Sequence, residues 1–159
     1  NLTNKKSKLI FSNAEILKNV PKIKYDLIYS FGVIHHAPDM KKVFNKIYNF
    51  STKKTEIKIM LYAKNSYKNF VLDLTKHRYE AQKGCPIIHK VDKRDVDKLI
   101  NNKFKIIDIS KDFIFPYKIK YYKKNIYKKL DHFKYMPSKI FKRLSKKIGE
   151  HMLITLRKV

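Results

Sequence analysis

Tyr25-Asp26-Leu27-Ile28-Tyr29-Ser30-Phe31-Gly32-Val33-Ile34-His35-His36-Ala37-Pro38-Asp39 reads as a strand, a sharp turn and the start of a helix. Leu27 and Ile28, flanked by aromatics, form the short apolar run expected of a parallel strand buried on both faces. Ser30-Phe31-Gly32 breaks that strand at its carboxyl end, the edge where open α/β sheets bind their ligands. The polar pair His35-His36 follows within a few residues.

Upstream, Lys8 to Phe11 is a short strand candidate, followed by a loop at Asn13-Ala14-Glu15. Downstream, Val43, Ile47 and Phe50 at helical spacing predict a helix over residues 40–50, with Asp39 positioned to accept from the free amides of its first turn. Ser51 to Thr55 is a polar connector. Ile57, Ile59 and Leu61 alternate with Glu56, Lys58 and Met60, the period of a strand. A helix is expected at Tyr67 to Leu74, and another through Val96 and Ile100 with Asp92 as its cap. Residues 104–109 and 151–158 read as strands. Between them, Tyr121, Tyr122, Ile126, Tyr127, Leu130 and Phe133 lie near helical spacing, and after Pro137 a second basic helix carries Ile140, Phe141, Leu144 and Ile148. The apolar stripes of this segment are expected to pack on the domain, the alternative being a basic amphipathic helix at a membrane surface.

Residues 26–39 resemble the fourth strand and following turn of class I S-adenosylmethionine-dependent methyltransferases, in the small-molecule branch whose signature runs D-L-V-Y-S-x-G-V-L-H-H-x-P-D. Phe11 to Leu17 resembles that family's D-A-E-x-L loop beside the adenine, Glu56 to Tyr62 its next strand, and His151 to Lys158 its last. The resemblance implies an α/β, Rossmann-like class I methyltransferase fold with a helical insertion before the last strand. It divides the chain into a cofactor-side core (1–62), substrate-side loops and helices (63–102), and an antiparallel strand pair (103–159) carrying the basic insertion 111–149 as a cap near the active-site rim. The family's Gly-rich loop has no counterpart, since Gly32, Gly84 and Gly149 are the three glycines. The acidic residue that holds the ribose is missing as well. The expectation is a fold incomplete at its N-terminus, the C-terminal part of one domain, inactive and poorly stable alone because its sheet edges are left open.

The resemblance also assigns roles. Asn13, Ala14 and Glu15 would edge the adenine of S-adenosylmethionine, with Asn13 standing where the family has aspartate. Ser30, Phe31 and Gly32 would border its methionine part. A small-molecule acceptor would lie against Tyr62. His35 and His36 are the candidate general bases, because imidazole titrates near neutrality. Side chains adjacent on a helix diverge, so at most one faces a substrate, and the sequence does not choose between them. The alternative is that both serve structure.

Of 159 residues, 38 are Lys or Arg and 13 Asp or Glu, a formal charge of +25. Such a balance raises nucleic acid or an anionic membrane as partners for a non-enzymatic basic α/β module. Against nucleic acid, the arginines are Arg78, Arg94, Arg143 and Arg157 alone, and bidentate recognition favours arginine's planar fork. A solvated lysine surface is the simpler reading. One cysteine, Cys85, forms no internal disulfide, which fits a reducing cytoplasm. No apolar run approaches the ~20 residues of a membrane helix. Cys85 and His89 are too few for a closed zinc site, and His77 and His132 have no interpretable spacing, so no metal is expected.

Overall fold

The deciding stretch folds as strand β1 (Leu27–Phe31), a single 3-10 turn at Ile34–His36, and helix α1 (Met40–Phe50). The computed structural model describes residues 7–76, 87–122 and 124–159. Parallel to β1 lies β2 (Glu56–Ala63), with Ile28 opposite Ile57 and Phe31 opposite Met60. After helix α2 (Tyr67–Leu74) comes the two-residue strand β3 (Lys90–Val91), which pairs with Tyr62 and Ala63 on the edge of β2 that β1 also uses. Helix α3 (Lys93–Ile100) leads into β4 (Phe104–Asp112). Two single-turn helices, α4 (Ile119–Tyr122) and α5 (Asp131–Lys134), then precede helix α6 (Ser138–Ile148) and the last strand, β5 (His151–Lys158). The sheet order is β1-β2-β5-β4, with β5 antiparallel to both of its neighbours.

Side-chain period explains the core. Ile57, Ile59 and Leu61 point to one face of β2 and meet Leu156, Ile154 and Met152 of β5 directly across the ladder. Onto this face α1 lays Val43, Phe44 and Ile47, and α3 lays Val96 and Ile100. Asp39 caps α1 by accepting from the Lys42 amide at 3.2 Å. At α3 the capping is reciprocal: Asp92 accepts from Asp95 N and Asp95 from Asp92 N, each at 3.0 Å. A bulge between Ile106 and Asp108 lets Ile106 and Ile109, three apart, both pack on the core while Ile107 turns to solvent.

Three expectations are corrected. The first strand is not buried on both faces: Leu27, Tyr29 and Phe31 are 54%, 64% and 48% exposed, because β1 has a ladder partner on one edge and helices on one face among the described residues. Lys8 to Phe11 forms no strand among the described residues, and Leu9 and Phe11 are exposed. The described residues from Tyr121 to Phe133, placed near helical spacing by the sequence, do not form one helix. Tyr117 bridges Lys129, the Lys118 amide donates to Lys128 O at 2.8 Å, and Asn125 is left-handed at φ 59°, so the chain doubles back on itself. The second basic helix stands as expected and packs along β4. Among the described residues no helix is long and apolar enough to cross a membrane.

Candidate active site

The turn after β1 is shaped by Gly32, whose φ of +75° a side chain rarely adopts. It swings the chain over the sheet edge, where amide-to-carbonyl bonds from His36 to Val33 and from Ala37 to Ile34 close the 3-10 turn. The two histidines, adjacent in sequence, then enter different environments. His35 is fully buried, its ring 4.0 Å from that of Tyr62 and 4.2 Å from that of His36. Neither of its ring nitrogens has a hydrogen-bond partner among the described residues. His36 is half-buried, and its Nδ1 donates to Ile87 O at 2.8 Å. A carbonyl only accepts, so the proton of the neutral ring sits on Nδ1 and Nε2 is left with a lone pair.

Segment 87–89 is stitched to the same turn. The His89 amide donates to His35 O at 2.8 Å, and His89 Nε2 donates to Ala37 O at 3.1 Å. His151, the first residue of β5, stands opposite Tyr62 in the ladder, its ring 6.3 Å away and stacked on Phe113 at 4.8 Å. Sequence reading assigned no role to His151. The available signal was its place at the start of a strand antiparallel to the one ending in Tyr62.

Burial holds the His35 imidazole down at about 4 from its ordinary 6.5, and the neighbouring His36 ring disfavours a second charge in the same direction. The nearby Met60 backbone opposes the shift, though without good hydrogen-bond geometry. Burial likewise lowers His151, and burial together with the Glu150 charge raises the Tyr62 phenol. The His35 shift makes stability depend on pH. Below 6.5 the unfolded chain binds a proton at this position that the folded chain refuses until about pH 4, so the contribution is full above pH 6.5 and drains as pH falls toward 4. It amounts to about 3 kcal/mol. Urea midpoints measured between pH 7 and 4 are expected to fall steeply for the native chain and less for His35→Leu. Equal slopes would show that His35 does not hold this shift.

The expected cofactor residues lie at the same end of β1. Asn13 Oδ1 accepts from the Glu15 amide at 2.8 Å, and Glu15 Oε1 accepts from the Asp39 amide at 2.7 Å, tying the 13–15 loop to the start of α1. Ala14 packs on the core edge. The side-chain oxygens of Asn13 and Glu15 thus help shape the loop. Beside them, Ser12 Oγ is buried with no hydrogen-bond partner among the described residues, a polar atom left unsatisfied there. With open space over Gly32, where an added Cβ would meet only Met60 Cε at 3.7 Å, these residues fit one wall of a cofactor site.

A cavity of about 610 Å³ lies elsewhere, between α3, β4 and the end of α6. Its Lys93, Arg94, Lys111, Lys146 and Lys147 belong to a surface that is lysine-rich throughout, and no histidine lines it. Among the described residues no three His, Cys, Asp or Glu side chains gather as metal ligands, and Cys85 and His77 lie outside those residues.

A parallel β1-β2 pair joined to an antiparallel β5-β4 pair, with the polar site at the carboxyl end of β1, defines a Rossmann-like α/β fold of the class I methyltransferase kind. Crystal structures of S-adenosylmethionine-dependent methyltransferases from Thermotoga maritima (13% identity, TM-score 0.56), Clostridium acetobutylicum (12%, 0.54) and Anabaena variabilis (11%, 0.52) share it. They cover 93%, 96% and 92% of this chain, which spans 62%, 65% and 53% of theirs. No protein-family model and no curated protein matches the sequence.

Proposed function

We propose that the protein transfers a methyl group from S-adenosylmethionine to a small-molecule acceptor, with His36 as general base. The observation that carries this reading is the His36 Nδ1 bond to Ile87 O, which commits Nδ1 as the donor of a half-buried ring and leaves Nε2 with its lone pair. When bound, S-adenosylmethionine supplies an electrophilic methyl on a sulfonium and departs as S-adenosylhomocysteine. Asn13, Ala14, Glu15, Ser30, Phe31 and Gly32 edge that cofactor, and Ser12 Oγ, without a partner among the described residues, hydrogen-bonds to it. His36 Nε2 takes the proton from the acceptor atom as its lone pair is committed to the new bond to carbon. His35, neutral and packed against Tyr62, fixes the turn that presents His36 and helps exclude water from it.

Calorimetric titration of S-adenosylhomocysteine tests the reading. Saturable binding that Ser12→Val or Gly32→Val weakens tenfold or more is the expected result. No binding by the protein, or binding indifferent to both substitutions, would overturn the assignment and favour a basic module for RNA or anionic surfaces, recognised by a steep loss of affinity with salt.

A further inference from the structure

Between β4 and α5 the chain folds four aromatic rings into a box that the methyl-transfer chemistry does not by itself require. Phe115 meets Tyr122 at 4.8 Å and Tyr117 at 5.6 Å, and Tyr127 meets Tyr117 at 5.4 Å and Tyr122 at 5.8 Å, every pair steeply inclined at 73° to 86°. Across the box Tyr117 and Tyr122 stand nearly parallel, 6.1 Å apart. These rings, with Tyr62 and His151 of the candidate active site, line a partly open cavity of about 230 Å³. Tyr62 is therefore shared: His35 packs against its ring, and the same ring lines the cavity.

Size and electrostatics narrow what fits. A dry protein cavity of about 150 Å³ already accepts benzene, so this one suits a single ring with a small substituent. The four rings fill the space between one another, and the sides they turn to the cavity offer a docked ring the edge-to-face contacts that aromatic quadrupoles prefer. An aromatic box can also take a cation, but here one is already in place: the Lys68 ammonium lies 4.8 Å over the Phe115 ring and pairs with Glu150 at 2.9 Å. Lys68 and Glu150 are 12% and 4% exposed. A cationic ligand would face this buried ammonium, and an anionic one the buried carboxylate. Either would have to break the pair to enter.

We propose that this cavity binds an uncharged, single-ring aromatic compound, a phenol-like molecule, as the methyl acceptor. The acceptor role rests on the function proposed above; the binding of the ring does not.

Saturation-transfer NMR and competition titrations with phenol, cyclohexanol, tetramethylammonium and benzoate decide it. Phenol is expected to bind at least tenfold more tightly than the other three. Tyr127→Ser, at a 64% exposed ring whose loss leaves the core untouched, is expected to weaken phenol about five- to tenfold without altering the unfolding midpoint. Tyr117→Leu is expected to weaken it comparably. Cyclohexanol equal to phenol, a charged probe binding better than phenol, no phenol binding, or phenol binding indifferent to both substitutions would each overturn the proposal. Two results separate it from the functional reading. S-adenosylhomocysteine binding without phenol binding removes the aromatic acceptor and leaves the methyltransferase. Phenol binding without S-adenosylhomocysteine binding removes the methyltransferase and leaves the aromatic site.

Discussion

Replacing His36 with asparagine is expected to lower the methyl-transfer rate about a hundred- to ten-thousand-fold while leaving S-adenosylhomocysteine affinity unchanged. The asparagine amide nitrogen falls close to where Nδ1 sits and can still donate to Ile87 O, so the bond that docks segment 87–89 on the turn survives. What disappears is the basic Nε2. His36→Leu removes both, and its additional effect is expected in the unfolding midpoint rather than in the chemistry. The matching change at the neighbouring residue, His35→Asn, should alter stability and its pH dependence more than the rate, because His35 is sealed under Tyr62 with its nitrogens out of contact with solvent. A large rate loss at His35 with full activity in His36→Asn would reverse the assignment. Activity retained in both would remove histidine from the mechanism.

That division between two adjacent histidines marks how far the sequence could be read. Elements set by local chemistry were legible. The apolar stripe Val43, Ile47 and Phe50, with Asp39 before it, predicts α1 over the residues observed, and α2 and β5 also fall where their patterns place them. The Asp92 cap could be foreseen because the carboxylate and the amide it accepts from lie three residues apart. Features set by contacts across the chain were not legible. His36 is distinguished from His35 by a carbonyl 51 positions later, and His151 reaches Tyr62 only through the β2-β5 register. The aromatic segment misled for a physical reason. Tyr117, Tyr122 and Tyr127 are five residues apart, a spacing that one helix face does not bring together, and the chain gathers them by folding back through a left-handed Asn125. Phe113, also left-handed at φ 58°, is a second such turn, placing its ring on His151 and its carbonyl within 2.7 Å of the Glu150 amide. A bulky residue at positive φ is sustained only by surrounding contacts, and nothing local announces it. The exposed side of β1 follows the same logic, since apolar Leu27, Tyr29 and Phe31 suit a covered strand whether or not a cover is present.

The ion pair beside the aromatic box carries the largest expected effect on stability. Lys68→Met is expected to destabilise the fold by about 3 to 5 kcal/mol, because it removes the ammonium paired at 2.9 Å with the Glu150 carboxylate, 4% exposed, between β5 and the start of the aromatic segment. The same substitution removes the ammonium over Phe115 and loosens the contact between α2 and the residues after β4. Glu150→Leu alone removes the carboxylate paired with the buried Lys68 ammonium and should cost a similar amount. The double variant should recover most of the loss, since two apolar side chains of comparable volume have no charge to desolvate. Its stability is expected within about 1 kcal/mol of the native chain, so the cycle yields a coupling of several kcal/mol. Equilibrium urea unfolding of the four proteins measures it. Additive losses would mean that each charge is held by other neighbours and that the pair is not a unit. Recovery in the double variant would show that the charges are dispensable for folding. What they would then still supply is the polarity of the cavity wall, which the phenol, tetramethylammonium and benzoate titrations read directly.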